Sequence, residues 1–199
     1  MDLHQHLKLM ADYHRWAFDR LYAEVDRLSD DDYRRDSGQF FGSVHGTLNH
    51  LLLVEHLWQA RLEHDVYPAA GLDQELEADR AALKRRLLDF ATGWRAFVDA
   101  MTPTQVAGDL AYRSLAGDRY ELPYASLVLH VFNHATHHRG QVSVALVQLG
   151  QAAPVMGLVA VMVDDADVEA ARSIAGEIDA ALRDNRANPG TFDPLPDPA

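Results

Sequence analysis

The sequence predicts an all-α protein, an antiparallel-type four-helix bundle with a short hairpin ahead of its last bundle helix and an extra C-terminal helix. Three observations predict it: apolar residues recur at spacings of three and four through four long stretches, Pro and Gly punctuate the connections, and only one short segment reads as strand, turn, strand.

The first stretch, residues 3–28, places Leu3, Leu7, Met10, His14, Phe18, Leu21, Val25 and Leu28 on one stripe, and the polar run at 29–32 ends it. Ser43 is a good N-cap for a second helix running to about Glu63, which Pro68 and Gly71 separate from the third. That third helix is expected over residues 72–101, rich in Ala, Leu, Glu, Arg and Lys, with Pro103 closing it. "LAYRSL" and "RYEL" flank an Ala-Gly-Asp turn and form the hairpin candidate. The fourth bundle helix begins after Pro123 and runs to Leu149, with Gly150 as its stop. Residues 1–153 then constitute the bundle. Residues 154–185 are expected as an extension packed on it: "GLVAVMVDD" suits a strand or a helix start, and a fifth helix is expected over 165–184. Residues 186–199, with four prolines, read as a disordered tail.

A chain of 199 residues is long enough for one domain with a real core and short for two. With no cysteine, thiolate nucleophiles, disulfides and zinc-thiolate sites are excluded, so any metal must sit on nitrogen and oxygen ligands. The formal charge of −12 lacks the basic footprint of nucleic-acid binders. Neither a signal-peptide pattern nor an apolar run long enough to span a bilayer is present, so a cytoplasmic protein acting on a small-molecule substrate, with no membrane partner, is the expectation.

The fourth bundle helix carries "HVFNHATHHRGQV", with four of the eleven histidines, His130, His134, His137 and His138, in nine positions. At about 100° per residue all four, with Gln141, fall on one face, the face that Leu127, Val131 and Val142 turn inward. A lone buried histidine is usually a hydrogen-bonded core residue. A cluster calls for a common partner, and imidazoles one turn apart can aim at a single metal ion. A further ligand must come from another helix. On the second helix His50 shares the apolar face with Leu53, Val54 and Leu57, whereas His45 and His56 lie more than about 110° away and are expected at the surface or rim. His14 suits either the same cavity or a core role, and His4, His6 and His64 read as solvated. HExxH, ExxH, GxSxG and Walker-type patterns are absent, so those zinc-protease, di-iron, hydrolase-elbow and phosphate-loop chemistries have no support.

"YHRWAFDRLYAEVDRLSDDDYRRD" leading into "FFGSVHGTLNHLLLVEHLW", then "HVFNHATHHRGQV" after the hairpin, resembles the DinB family over about residues 3–150. The resemblance implies an up-down-down-up bundle, often a homodimer, with a divalent metal on three histidines: His50, His134 and His138. Nickel or zinc is the first expectation, with manganese, iron or copper as alternatives. It further implies a metal-dependent enzyme of hydrolase or thiol-dependent S-transferase or isomerase type, with a low-molecular-weight thiol as partner. The alternative is a non-catalytic stress-response or small-molecule-binding protein with a structural or vestigial metal site. Two departures stand out. The acidic residue expected near the helix-two histidine is Glu55, which faces away from His50 on an ideal helix, and the segment after Pro154 does not match. Asn49, Asn133, Gln141 and His130 are the neighbours placed to orient the ligands. Arg139, about 140° from His134, is expected to bind a neighbouring helix or subunit, and Trp16 and Trp58 to pack in the core.

Overall fold

A computed structural model describes residues 2–164. Met1–Pro154 forms one unit, and the described part of the second contains a single short helix.

Helix α1 (Leu3–Val25) opens on a capping box, in which Asp2 accepts from Gln5 N while the Gln5 side chain accepts from Asp2 N. Helix α1 ends at Val25, three residues short of the expected Leu28, and the polar run that follows starts a one-turn helix, α2 (Asp30–Arg34), capped by Ser29. Helix α3 (Val44–Leu62) begins at the expected cap, Ser43, whose Oγ accepts from Gly46 N at 3.1 Å. Helix α4 (Arg80–Ala100) begins eight residues later than expected. Leu72–Asp79 has adequate helix propensity, but tertiary bonds hold it as a connection: buried Asn49 takes Leu76 N and Glu77 N on its Oδ1, both at 2.9 Å, and returns Nδ2 to Glu77 O at 3.0 Å. Asp79, accepting from Ala82 N, then supplies a better cap.

After the short α5 (Pro103–Ala107) comes the expected hairpin, β1 (Asp109–Arg113) paired antiparallel with β2 (Arg119–Pro123), Leu110 opposite Leu122. Gly117, at φ 91, makes its turn. Helix α6 (Tyr124–Gln148) ends where Gly150 takes φ 83. In the second unit the described part of "GLVAVMVDD" forms a helix, α7 (Leu158–Asp164). The expected fifth helix over 165–184 and the tail over 186–199 lie outside the described residues.

The contacts fix the bundle's order. Lys8 meets Asp99, and Arg80 reaches Val25 O, so α1 and α4 are antiparallel. Tyr124 donates to Leu62 O and His50 meets His134, so α3 and α6 are antiparallel. Asn49 meets Glu77 while Glu55 meets Trp94, so α3 and α4 run parallel. The order is therefore up-down-down-up, with α1 and α3 on one diagonal and α4 and α6 on the other. A parallel α3–α4 pair needs a long return connection, residues 63–79, and that return passes over the histidines. None of the described helices is long and apolar enough to cross a membrane.

One polar brace ties all four bundle helices together inside the core. His14 of α1, Glu55 of α3 and Arg139 of α6 are each no more than 2% exposed, and Trp94 of α4 closes the set. Arg139 Nη1 donates to His14 Nδ1 at 3.2 Å, which leaves the proton on Nε2, facing Glu55 Oε1 at 2.9 Å. Trp94 Nε1 donates to the other carboxylate oxygen. The guanidinium also packs over the Tyr13 and Phe18 rings. His14 thus has the core role, and Arg139 binds a neighbouring helix, as its wheel position suggested.

Candidate metal centre

The inward face of α6 meets the apolar face of α3 at three imidazoles. His134 Nε2 lies 3.3 Å from His50 Nε2 and 3.0 Å from His138 Nε2, and the three donor atoms all fall within 4.8 Å of one another. Nitrogens about 2.05 Å from a tetrahedral zinc stand about 3.3 Å apart, close to the two spacings around His134.

The far nitrogens set the direction of the lone pairs. His50 Nδ1–H donates to Leu72 O at 2.8 Å, and His138 Nδ1–H donates to Gln141 Oε1 at 2.8 Å. Both rings therefore present an unprotonated Nε2 to the common point, the tautomer a ligand needs. His134 has no such support, its buried Nδ1 lacking a hydrogen-bond partner among the described residues. Burial, deepened by the neighbouring imidazoles, lowers His134 to about 3. Burial lowers His138 to about 4 against the opposing Gln141 bond, and His50 is shifted down by burial too. All three are neutral at pH 7.

The loop before α3 roofs the site. Phe41 stacks on His50 with centroids 3.9 Å apart and planes 18° from parallel. Gln39 anchors this loop by donating to Gln141 O at 3.1 Å and accepting from Thr47 Oγ1 at 2.7 Å. Gly46 is required for the close approach: a Cβ there would lie 2.1 Å from Phe41 O.

On the open side His50 and His134 line a cavity of about 480 Å³, shared with Val54, Trp58 and Arg61 of α3, His130 of α6 and the hairpin turn around Ser114–Asp118. Burial, then the Arg61 charge, lowers His130, so its imidazole is neutral at pH 7.

Of the histidines singled out from sequence, His50, His134 and His138 come together. His130 and His137 flank them, His137 accepting from Gln141 Nε2 at 3.1 Å. His45 is not at the surface: it is 5% exposed, edge-on to Tyr33 and 3.0 Å from Glu75. The wheel misplaced it because α3 is buried on every side, 14 of its 19 residues being inaccessible beneath neighbouring helices and the 63–79 return. His56, half-buried, accepts from Arg86 and packs on Tyr67 and Phe90. His4 is half-buried and donates to Val98 O at 2.6 Å, and His6 is half-buried too, so neither is fully solvated; His64 is exposed. Gln141 accepts from His138 Nδ1 and so orients that ring. Asn49 instead staples the 72–79 return, and Asn133 is exposed. Trp58 is core on one side and cavity wall on the other, edge-on to His130; Trp16 is half-buried beneath Arg20.

Sequence reasoning missed Leu72, Phe41 and Arg61. Leu72 contributes through its carbonyl and Phe41 through a loop, neither of which has a periodic signal. Arg61, eleven residues after His50 and so only about 20° from it on the wheel, was there to be found.

A family model described as the DinB family matches residues 3–166. Among solved structures the chain is similar to a crystal structure of a DinB-like protein from Bacillus cereus, with 15% identity and a TM-score of 0.53, covering 69% of this chain and 89% of that one. At that identity the likeness speaks for the fold. No curated protein matches the chain.

Proposed function

Because the chain belongs to the DinB family, we propose that His50, His134 and His138 hold one divalent metal ion, nickel or zinc first, and that the protein is a metal-dependent enzyme of hydrolase or thiol-dependent transferase type acting on a small molecule. The observation that carries this reading is the convergence of three Nε2 atoms at 3.0 and 3.3 Å, two of them with tautomers fixed by Leu72 O and Gln141. Three neutral imidazoles suit zinc, nickel, copper and iron alike.

The cavity beside His50 and His134 favours a working site over a closed structural one, since an ion on three protein ligands would have room for a further one. A bound ion would supply Lewis acidity at that position. The chain's own residues do the rest: Phe41 excludes water from one side of His50, and Trp58 forms an apolar wall. His130, neutral beside His134, is fit to accept a proton.

Elemental analysis of protein purified without a His-tag tests the reading. About one divalent ion per chain is expected, with loss in His50→Ala and retention in His45→Ala. Full metal content in His50→Ala would sink it.

A further inference from the structure

Among the described residues Arg61 stands in the cavity wall as a cation without an anion. Its guanidinium packs over Trp58 and Tyr112, with centroid distances of 4.7 and 5.2 Å. It is half-buried, and its side chain forms no hydrogen bond or ion pair with any described residue. Arg80 and Arg86, also part-buried, each meet a carboxylate, Asp30 and Glu77 respectively. Asp118 shares the cavity with Arg61 and Asp65 a neighbouring groove, yet both are exposed and neither reaches it. A guanidinium offers five donors in a planar fork, and partial burial without partners is costly unless something arrives to use them.

The surroundings say what kind of group that is. His50, Val54, Leu57, Trp58 and Arg61 succeed one another along a single face of α3, the first and last separated by about 16 Å of helix rise. The cavity therefore runs from the imidazoles at one end, past an apolar and aromatic middle, to a lone cation at the other. Cation-stacking aromatics leave the edge of the guanidinium free, the edge that binds a carboxylate bidentately.

We infer that the cavity binds an elongated small molecule with a carboxylate at Arg61, an apolar segment against Val54, Leu57 and Trp58, and its opposite end at His50 and His134. The identity of that opposite end as the reacting one rests on the metal-centre reading; the Arg61 contact does not. Arg61 is thereby a specificity determinant, selecting anionic over neutral substrates of the same shape.

Calorimetric titration of the full chain with octanoate and with octanamide tests this. Octanoate is expected to bind roughly tenfold or more tightly than the amide, the difference a charge-assisted bond confers. Arg61→Gln should abolish that preference and Arg61→Lys retain part of it, with circular dichroism showing both variants folded. His50→Ala should leave the preference intact. Equal binding of the two probes, or no binding of either, overturns the inference. A preference that survives Arg61→Gln but disappears in His50→Ala also overturns it, placing the carboxylate on the metal instead and leaving the metal reading standing. Conversely, a preference controlled by Arg61 in a chain that purifies without metal upholds the inference about Arg61 and sinks the metal reading.

Discussion

Replacing Glu55 by Gln removes the negative charge from the brace while keeping its shape. Arg139, 1% exposed, then remains in the core with its charge no longer offset: besides Tyr13, Glu55 is the group that acts favourably on it. A glutamine offers one acceptor oxygen where the carboxylate offers two, so either His14 Nε2, which faces Glu55 at 2.9 Å, or Trp94 Nε1 also loses its acceptor. Glu55 and Arg139 do not touch; His14 bridges them. Leaving one buried charge without its opposite costs up to about 3–5 kcal/mol, the upper end belonging to direct pairs, against a total stability of about 5–15 kcal/mol for a typical domain. For a unit of this size that corresponds to a fall in Tm of roughly 6–20 °C.

Urea unfolding monitored by circular dichroism, with the wild type alongside, measures the loss. Arg139→Met alone should destabilise comparably, since it strands the Glu55 carboxylate. The double variant, Glu55→Gln with Arg139→Met, should lose much less than the sum, because with both charges gone neither is left orphaned. A loss below about 1 kcal/mol in Glu55→Gln, or full additivity in the double variant, would refute the claim that the two charges sustain each other. Metal content of the folded fraction should be unchanged, because none of the brace residues coordinates the proposed ion.

Asn49→Ala should free the 72–79 return, leaving Leu76 N and Glu77 N without their acceptor at a cost of about 2 kcal/mol or more, and should weaken metal binding roughly tenfold by releasing Leu72 O from His50; isothermal titration with zinc reads the second effect, and unchanged affinity counts against the Leu72 role. Gly46→Ala would ordinarily stabilise a helix by about 1 kcal/mol, but here its Cβ meets Phe41 O at 2.1 Å, so a loss of about 1–3 kcal/mol is expected, and a raised Tm contradicts the close approach. Metal-free protein should lose stability on acidification: with His134 held near 3 and His138 near 4 against 6.5 unfolded, the unfolded chain takes up protons that the folded one refuses as pH falls below about 6.5. At pH 5.5 this amounts to about 1.4 kcal/mol per histidine, the loss growing until the folded rings themselves protonate, and a denaturation midpoint flat from pH 7 to 5 would contradict it.

How much of the fold and the centre was legible in the sequence depends on which physical signal each feature leaves. Helix periodicity placed α3 and α6 nearly to the residue, where Ser43 caps the start of one and Gly150 stops the other, and it overran the end of α1 by three residues, where no such stop stands. It misjudged α4, where side-chain bonds from a distant helix override local propensity, as Asn49 does at Leu76 and Glu77. A wheel reading assumes that a helix has one inward face. That holds for α1 and located His50, but α3 has none turned to solvent, so the same rule sent buried His45 to the surface and left Glu55 without a partner. Helix α3 is enclosed because its parallel partner α4 demands the long 63–79 return. The same return supplies Leu72 O, the group that turns His50's lone pair toward His134. Topology therefore shapes the centre as directly as the histidine spacing does: with a short antiparallel turn between α3 and α4, His50 would keep its place on the wheel and lose the bond that turns its lone pair toward His134.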